Sequence, residues 1–140
     1  MVIGAVCAMA TDMTTIWYQI KGDNNFMVAE VPKEKAARNG FEEMTVALNS
    51  APTSQQITEV KRLAGTIDSR QKIASVSQNG VDVSVYAAPA SADGSLCKMM
   101  LVVDKNDNAE KVLVVLYGIC TQEGLTRAVQ NLSLEDIIGG

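Results

Sequence analysis

Apolar residues repeat along this chain with two different periods, and the change from one to the other divides it. In the first part, helical spacing alternates with short strands. Met13, Ile16, Trp17 and Ile20 fall at i, i+3, i+4 and i+7, one face of a helix that Gly22 can close. The β-branched and aromatic residues of the same stretch also suit a strand, but the spacing favours the helix. Asn25 to Val31 reads as a strand ending at Pro32, which has no N–H to give a ladder. Pro32 opens a short helix over 33–38 that Asn39-Gly40 ends. A second strand over 43–48 is bounded by Asn49-Ser-Ala-Pro52. Thr53-Ser-Gln-Gln56 has capping-box spacing, and Ile57, Val60, Leu63, Ala64 and Ile67 follow at helical intervals, with Glu59, Lys61 and Arg62 opposite. Arg70 to Val76 fits either a short helix or a strand.

Beyond residue 78 the period becomes two. Val81, Val83, Val85 and Ala87 alternate with Asp82, Ser84 and Tyr86, a half-buried strand entered through Asn79-Gly80. Leu96 to Asp104 is another, reached through the tight turn Ala92-Asp93-Gly94. Lys111 to Ile119 is nearly all apolar and reads as a central strand covered on both faces. Short polar links make these three strands an antiparallel meander. Thr121 then caps a last helix with Leu125, Ala128, Val129 and Leu132 on one face, and 133–138 forms a final turn or strand. The expected fold is α+β and two-layer, a mostly antiparallel sheet with helices packed on one face. One core is expected to join Leu113, Val115, Val83, Val85 and Leu101 to Ile57, Val60 and Leu63.

Residues 1–10 carry no charge and end in Ala8-Met9-Ala10, a small-x-small triplet followed by polar Thr11-Asp12. The segment lacks a basic start but reads as a signal-peptide remnant, which leaves 11–140 as a single α+β domain in the periplasm or secreted. The competing reading is a buried first strand. No run approaches the ~18 apolar residues that cross a bilayer.

Composition narrows the function. The 140 residues include twelve Lys and Arg against sixteen Asp and Glu, a net charge of −4, so no basic surface is on offer for nucleic acid. There is no histidine, which removes Ser-His-Asp and Cys-His nucleophiles and His-bound zinc. No phosphate loop, dinucleotide fingerprint, nucleophile elbow or CxxC is present, and no cofactor is implied. Asp104-Lys-Asn106-Asp-Asn108 begins like a calcium loop, but Ala109 stands where the turn needs Gly and Val115 where a bidentate Glu belongs. The acid pairs Glu42-Glu43 and Glu135-Asp136 are neighbours whose side chains diverge, which suits a solvated face better than paired catalysis. Lys33, Lys35 and Arg38 offer an anion contact that any surface helix also offers. Met13, Met27, Met44, Met99 and Met100 read as core filler before binding surface. Trp17 and Tyr18 are the one aromatic pair that suits a binding surface, although a helix over 13–21 turns Trp17 inward. Cys97 and Cys120 sit near opposite positions of a hairpin looping through 105–110, so a disulfide is one arrangement and a buried thiol pair the other.

The order Arg70 to Gly80, Val81 to Tyr86, a Gly-Ser turn, Met99 to Asp104, Val112 to Gly118 and a closing helix resembles a family of small exported proteins of unknown function from Bacteroides-type bacteria. The resemblance spans residues 43–138 and implies a fold and export, with no catalytic site. The functional expectation is a non-enzymatic domain that binds a protein or other component of the cell envelope, as a monomer or weak homodimer. Two alternatives stand beside it: a small enzyme using carboxylate, Tyr and Lys chemistry, and a self-associating structural protein pairing through 111–119 at a sheet edge.

Overall fold

The computed structural model describes residues 11–107 and 110–131, with side chains through 127. The expectations for 1–10, for Ala128, Val129 and Leu132, and for 133–138 with Glu135-Asp136 fall outside the residues so described. A helix α1 (Met13–Lys21) leads to strand β1 (Met27–Glu30), a short helix α2 (Lys33–Arg38) and strand β2 (Phe41–Asn49). Helix α3 (Ser54–Ala64) and a 3₁₀ turn (Ser69–Gln71) come next. Four strands follow, β3 (Lys72–Gln78), β4 (Val81–Pro89), β5 (Leu96–Asn106) and β6 (Lys111–Thr121), then helix α4 (Gln122–Asn131). All six strands form one sheet of order β1-β2-β6-β5-β4-β3, antiparallel at every pairing. The protein is therefore α+β.

The local signals act as the sequence pattern predicts. Thr53 accepts from the Gln56 amide at 3.1 Å while the Gln56 side chain accepts from the Thr53 amide at 2.9 Å, so two amides at the start of α3 are satisfied. Asn79 and Gly80 both have positive φ, 55° and 79°, as a two-residue hairpin turn between β3 and β4 requires. Thr121 Oγ1 accepts from the Gly124 amide at 2.9 Å and opens α4. The ambiguous stretch after Asp68 resolves into a 3₁₀ turn and then a strand.

β2 and β3 run in the same direction with three strands between them. Their connection must cross the sheet, and α3 makes that crossing. α3 lies beside α1 on one face, where Met13, Ile16, Trp17, Ile20, Val60 and Ala64 pack on Ala47, Met100, Leu113 and Val115. The opposite face has a second cluster built from Met99, Leu101, Val103, Val114, Leu116 and Cys120, joined by Ala36 of α2 and Leu125 of α4. The single core expected from the apolar pattern is thus two. Leu113 and Val115 do pack with Ile57, Val60 and Leu63, but Val83, Val85 and Leu101 point through the sheet to the other face. The reason is register. Val85 pairs with Leu101 and Leu101 with Leu116, so all three share the parity opposite to Val115.

The topology also corrects the edge assignment. Strand 111–121 lies between β2 and β5 with both faces buried, so it offers no edge for self-pairing. The edges are β1 and β3. Of the methionines read as filler, Met13, Met44, Met99 and Met100 are buried, whereas Met27 on the β1 edge is 74% exposed.

Candidate functional site

A concave polar surface lies where α3 stops short of the β3 edge. On the face that α3 covers, three cross-strand rows form its floor: Ser77, Asp82 and Asp104; Ser75, Ser84 and Val102; Lys72, Tyr86 and Met100. α3 ends at Ala64, and with Lys61, Ala64 and Gly65 it walls one side of a cleft of about 310 Å³. Two carboxylates, two ammonium groups, three serine hydroxyls and a tyrosine line it.

Its electrostatics follow from one placement. Asp82 and Asp104 stand directly opposite each other on β4 and β5, an arrangement of like charges that repels. Lys61 reaches down from α3 between them, 2.6 Å from Asp104 Oδ2 and 3.3 Å from Asp82 Oδ2. The hydrogen bond to Asp104 is the main reason its ammonium is held above the usual lysine range, with Asp82 adding to the effect. Asp82 Oδ1 accepts from the Ser77 hydroxyl, and this bond together with Lys61 holds the Asp82 carboxyl below its ordinary value. Asp104 is only 6% exposed, and its second oxygen, Oδ1, has no hydrogen-bond donor among the described residues. Burial raises the Tyr86 phenol above its ordinary value, opposed in part by the Ser84 hydroxyl.

The residues singled out from sequence distribute differently. Trp17 is buried and stacks on Tyr117 with ring centroids 5.5 Å apart and planes 9° apart, so it anchors the core and is no binding surface. Tyr18 alone of that pair faces outward, 63% exposed with the Lys21 ammonium 6.0 Å from its ring. Cys97 and Cys120 are directly opposed on β5 and β6 and buried, yet both are free. The Cys120 thiol donates to the Cys97 carbonyl oxygen at 3.8 Å, directing its sulfur toward backbone in place of the bridge considered above. Burial first, and Cys97 second, push the Cys120 thiol up to about 11. Asp104 lies inside β5 facing Lys61, so it does not belong to a calcium-type loop. Among the described residues no three His, Cys, Asp or Glu gather to hold a metal ion. Glu42 and Glu43 are exposed on β2, and Lys33, Lys35 and Arg38 spread along the six-residue α2. A second hollow of about 270 Å³ beside β1 is apolar, lined mainly by Met27, Val31, Met44, Val46 and Leu48.

Sequence reasoning missed the cleft. It treated Asp82, Ser84 and Tyr86 as the solvated side of β4, and Lys61 as surface charge on α3. The signal that locates them is the turn. A hairpin centred on Asp93 places positions eleven residues to either side, Asp82 and Asp104, in register, and a cation is then needed between them.

No family model, curated protein or solved structure matches the chain. Among the described residues no helix is long and apolar enough to cross a membrane.

Proposed function

We propose that the protein is a non-catalytic binding domain, exported to the cell envelope or beyond, that takes a small polar ligand into the cleft between α3 and the outer strands. The observation that carries this reading is the convergence of two carboxylates, two ammonium groups, three serines and a tyrosine on one open cleft, with a buried, donor-less oxygen of Asp104 behind its floor. A buried acceptor left unsatisfied opposes folding by about 1–3 kcal/mol, so a site of this kind is better explained by what it receives than by the stability of the fold.

A pocket carboxylate beside Lys and Tyr is also what the enzymatic alternative needs, and that is the second reading. The protonation states favour binding. A catalytic lysine or tyrosine is tuned toward neutrality, whereas Lys61 and Tyr86 are both shifted upward, away from it. Lys61 remains an ammonium and Tyr86 a neutral phenol, groups that donate hydrogen bonds and accept no proton at neutral pH.

The test is a thermal-shift screen of a panel of small amines, neutral sugars and carboxylic acids against the wild type and Ser75→Trp, which fills the cleft from its β3 wall. The reading predicts at least one compound that raises the wild-type melting temperature and leaves the variant unmoved. A panel in which every stabilising compound acts equally on both proteins contradicts it.

A further inference from the structure

We propose that β3 is a docking edge for a second copy of this chain, the two strands pairing antiparallel about a two-fold axis at Val76. The inference does not rest on the cleft being a ligand site. Hydrogen bonding along β4 sets which groups of β3 face outward. The Gly80 carbonyl accepts from the Asn106 amide at 2.8 Å, so even-numbered residues of β4 turn their backbone toward β5 and odd-numbered ones toward β3. Val81, Val83 and Val85 therefore bond to Gln78, Val76 and Ala74. The N–H and C=O groups of Ser75 and Ser77 are left pointing away from the sheet. An axis at Val76 sets Ser75 opposite Ser77 of the second copy and Ser77 opposite its Ser75, so every one of these outward groups gains a partner at once. An axis at Ser75 would instead set Ser77 against Ile73, where the strand is bulged.

The side chains agree with the backbone. Val76 shares the face of Val83 and is 54% exposed. The axis sets it against its own copy at a non-hydrogen-bonded position, where facing side chains approach most closely. Residues 74–78 carry no charge, so no like charges oppose each other across the ladder. The bulge and Lys72 guard only the start of the strand, and Lys72 falls beyond the paired residues, opposite Gly80 of the copy. The other edge is built against such pairing: β1 has four residues, ends in Glu30 and stops short of Pro32. Ser75 and Ser77 also line the cleft, so the serines of the second copy extend its floor across the axis.

A ladder this short is smaller than a standard protein interface, so the association is reversible and concentration-dependent. Sedimentation equilibrium of the full chain over a range of concentrations reads it. The wild type is expected to pass from monomer to dimer as concentration rises. Val76→Lys, which sets like charges opposite each other at an already exposed position, is expected to weaken the dimer about tenfold or more. Met27→Lys, a charge added at the exposed β1 edge, is expected to leave it unchanged. Val76→Cys reads the register, because a residue on the axis faces its own copy. Mild oxidation is expected to link two chains through position 76, mapped by peptide mass spectrometry so that Cys7, Cys97 and Cys120 are counted apart. Ser75→Cys, which faces Ser77 of the copy, is expected to link far less. A chain that stays monomeric at every concentration overturns the proposal, as does a dimer that Val76→Lys leaves intact or Met27→Lys dissolves. Linking as strong through position 75 as through 76 overturns the two-fold pairing.

Discussion

Trp17 of α1 stacks on Tyr117 of β6, and the Tyr117 hydroxyl shares a 2.9 Å hydrogen bond with Thr14 one turn earlier in the same helix. Lys98 extends the contact, donating to Thr14 Oγ1 at 3.0 Å and to Asp12 Oδ1 at 2.6 Å. The start of α1 is thus held by the sheet through one aromatic face and one polar chain. Trp17→Ala should destabilise the protein by about 3–5 kcal/mol, the range for a large buried aromatic. Tyr117→Phe, which keeps the stack and removes the hydroxyl, should lose only about 1 kcal/mol. Urea denaturation of the two variants checks the ordering, and equal losses would show that the stack does not anchor the helix.

The split into two cores has its own mutational signature. Val115→Ala, on the α1–α3 side, should destabilise by about 1–4 kcal/mol, and Leu101→Ala, on the opposite side, by a similar amount. The double variant should be close to additive, because the two side chains leave the sheet on opposite faces and share no cavity. Strong coupling in a double-mutant cycle would place them back in one core.

How much of this was legible in the sequence depended on whether the signal was local. The capping box at Thr53, the Asn79-Gly80 turn and the helical face of Met13, Ile16, Trp17 and Ile20 each act within a few residues, and each appears where the pattern puts it. Which strand faces which core is set by pairing across the sheet. A run such as Lys111 to Thr121 that is apolar on both sides gives no parity to read, so Val83, Val85 and Leu101 were assigned to the wrong face. The cleft depends on where α3 ends over strands far along the chain, and that long-range placement leaves Asp82 and Asp104 looking like ordinary strand polars.

Gly118 marks a close approach that the alternation along β6 hides. A Cβ built there would meet the Phe41 ring, and it would lie 2.6 Å from the Glu43 carbonyl oxygen. Gly118→Ala should therefore destabilise by about 1–3 kcal/mol through overpacking. Combining it with Phe41→Leu should recover only part of that loss, because the backbone contact remains. Thermal unfolding of the single and double variants measures both, and an unchanged Gly118→Ala protein would mean that β2 sits farther from β6.

Cys97 and Cys120 should titrate as two free thiols in the denatured, unreduced protein, and should react slowly in the native one. Both sulfurs are buried, and the Cys120 thiol is held near 11, so its reactive thiolate is scarce at neutral pH. Failure of both Cys97 and Cys120 to take up label after denaturation, read by peptide mapping so that Cys7 is counted apart, would show a closed bridge across β5 and β6.

The pH dependence has opposite signs at its two ends. Asp93 is held down to about 2, first by the Ser95 amide and then by the Ser91 and Ser95 hydroxyls. A carboxyl lowered on folding stabilises above its unfolded value of 3.8 and loses that contribution as pH falls toward about 2. Lys61 is raised above 10.5, so its contribution is complete below that value and disappears as pH climbs through the folded one. The stability gap between the wild type and Lys61→Met should close at both ends. On the alkaline side the Lys61 ammonium is deprotonated, and on the acid side the Asp82 carboxylate that Lys61 holds down is protonated. An Asp93 carboxyl titrating at 3.8 by NMR, or a gap that stays constant on the alkaline side, contradicts these assignments.

If the Lys61–Asp104 pair is kept for a ligand at the expense of the fold, the ligand-free protein should not need it. Lys61→Met with Asp104→Leu replaces the pair by apolar side chains of similar length, leaving Asp82 with Ser77. Asp104 is the buried member of the pair and carries its desolvation cost, Lys61 being half-exposed. Ion pairs with that cost are often neutral or stabilising to replace, by about 1–4 kcal/mol. Equilibrium denaturation of the ligand-free double variant should therefore show stability equal to or above that of the wild type, together with loss of every ligand the cleft takes. A double variant less stable by about 3 kcal/mol or more would show that the fold itself requires the pair.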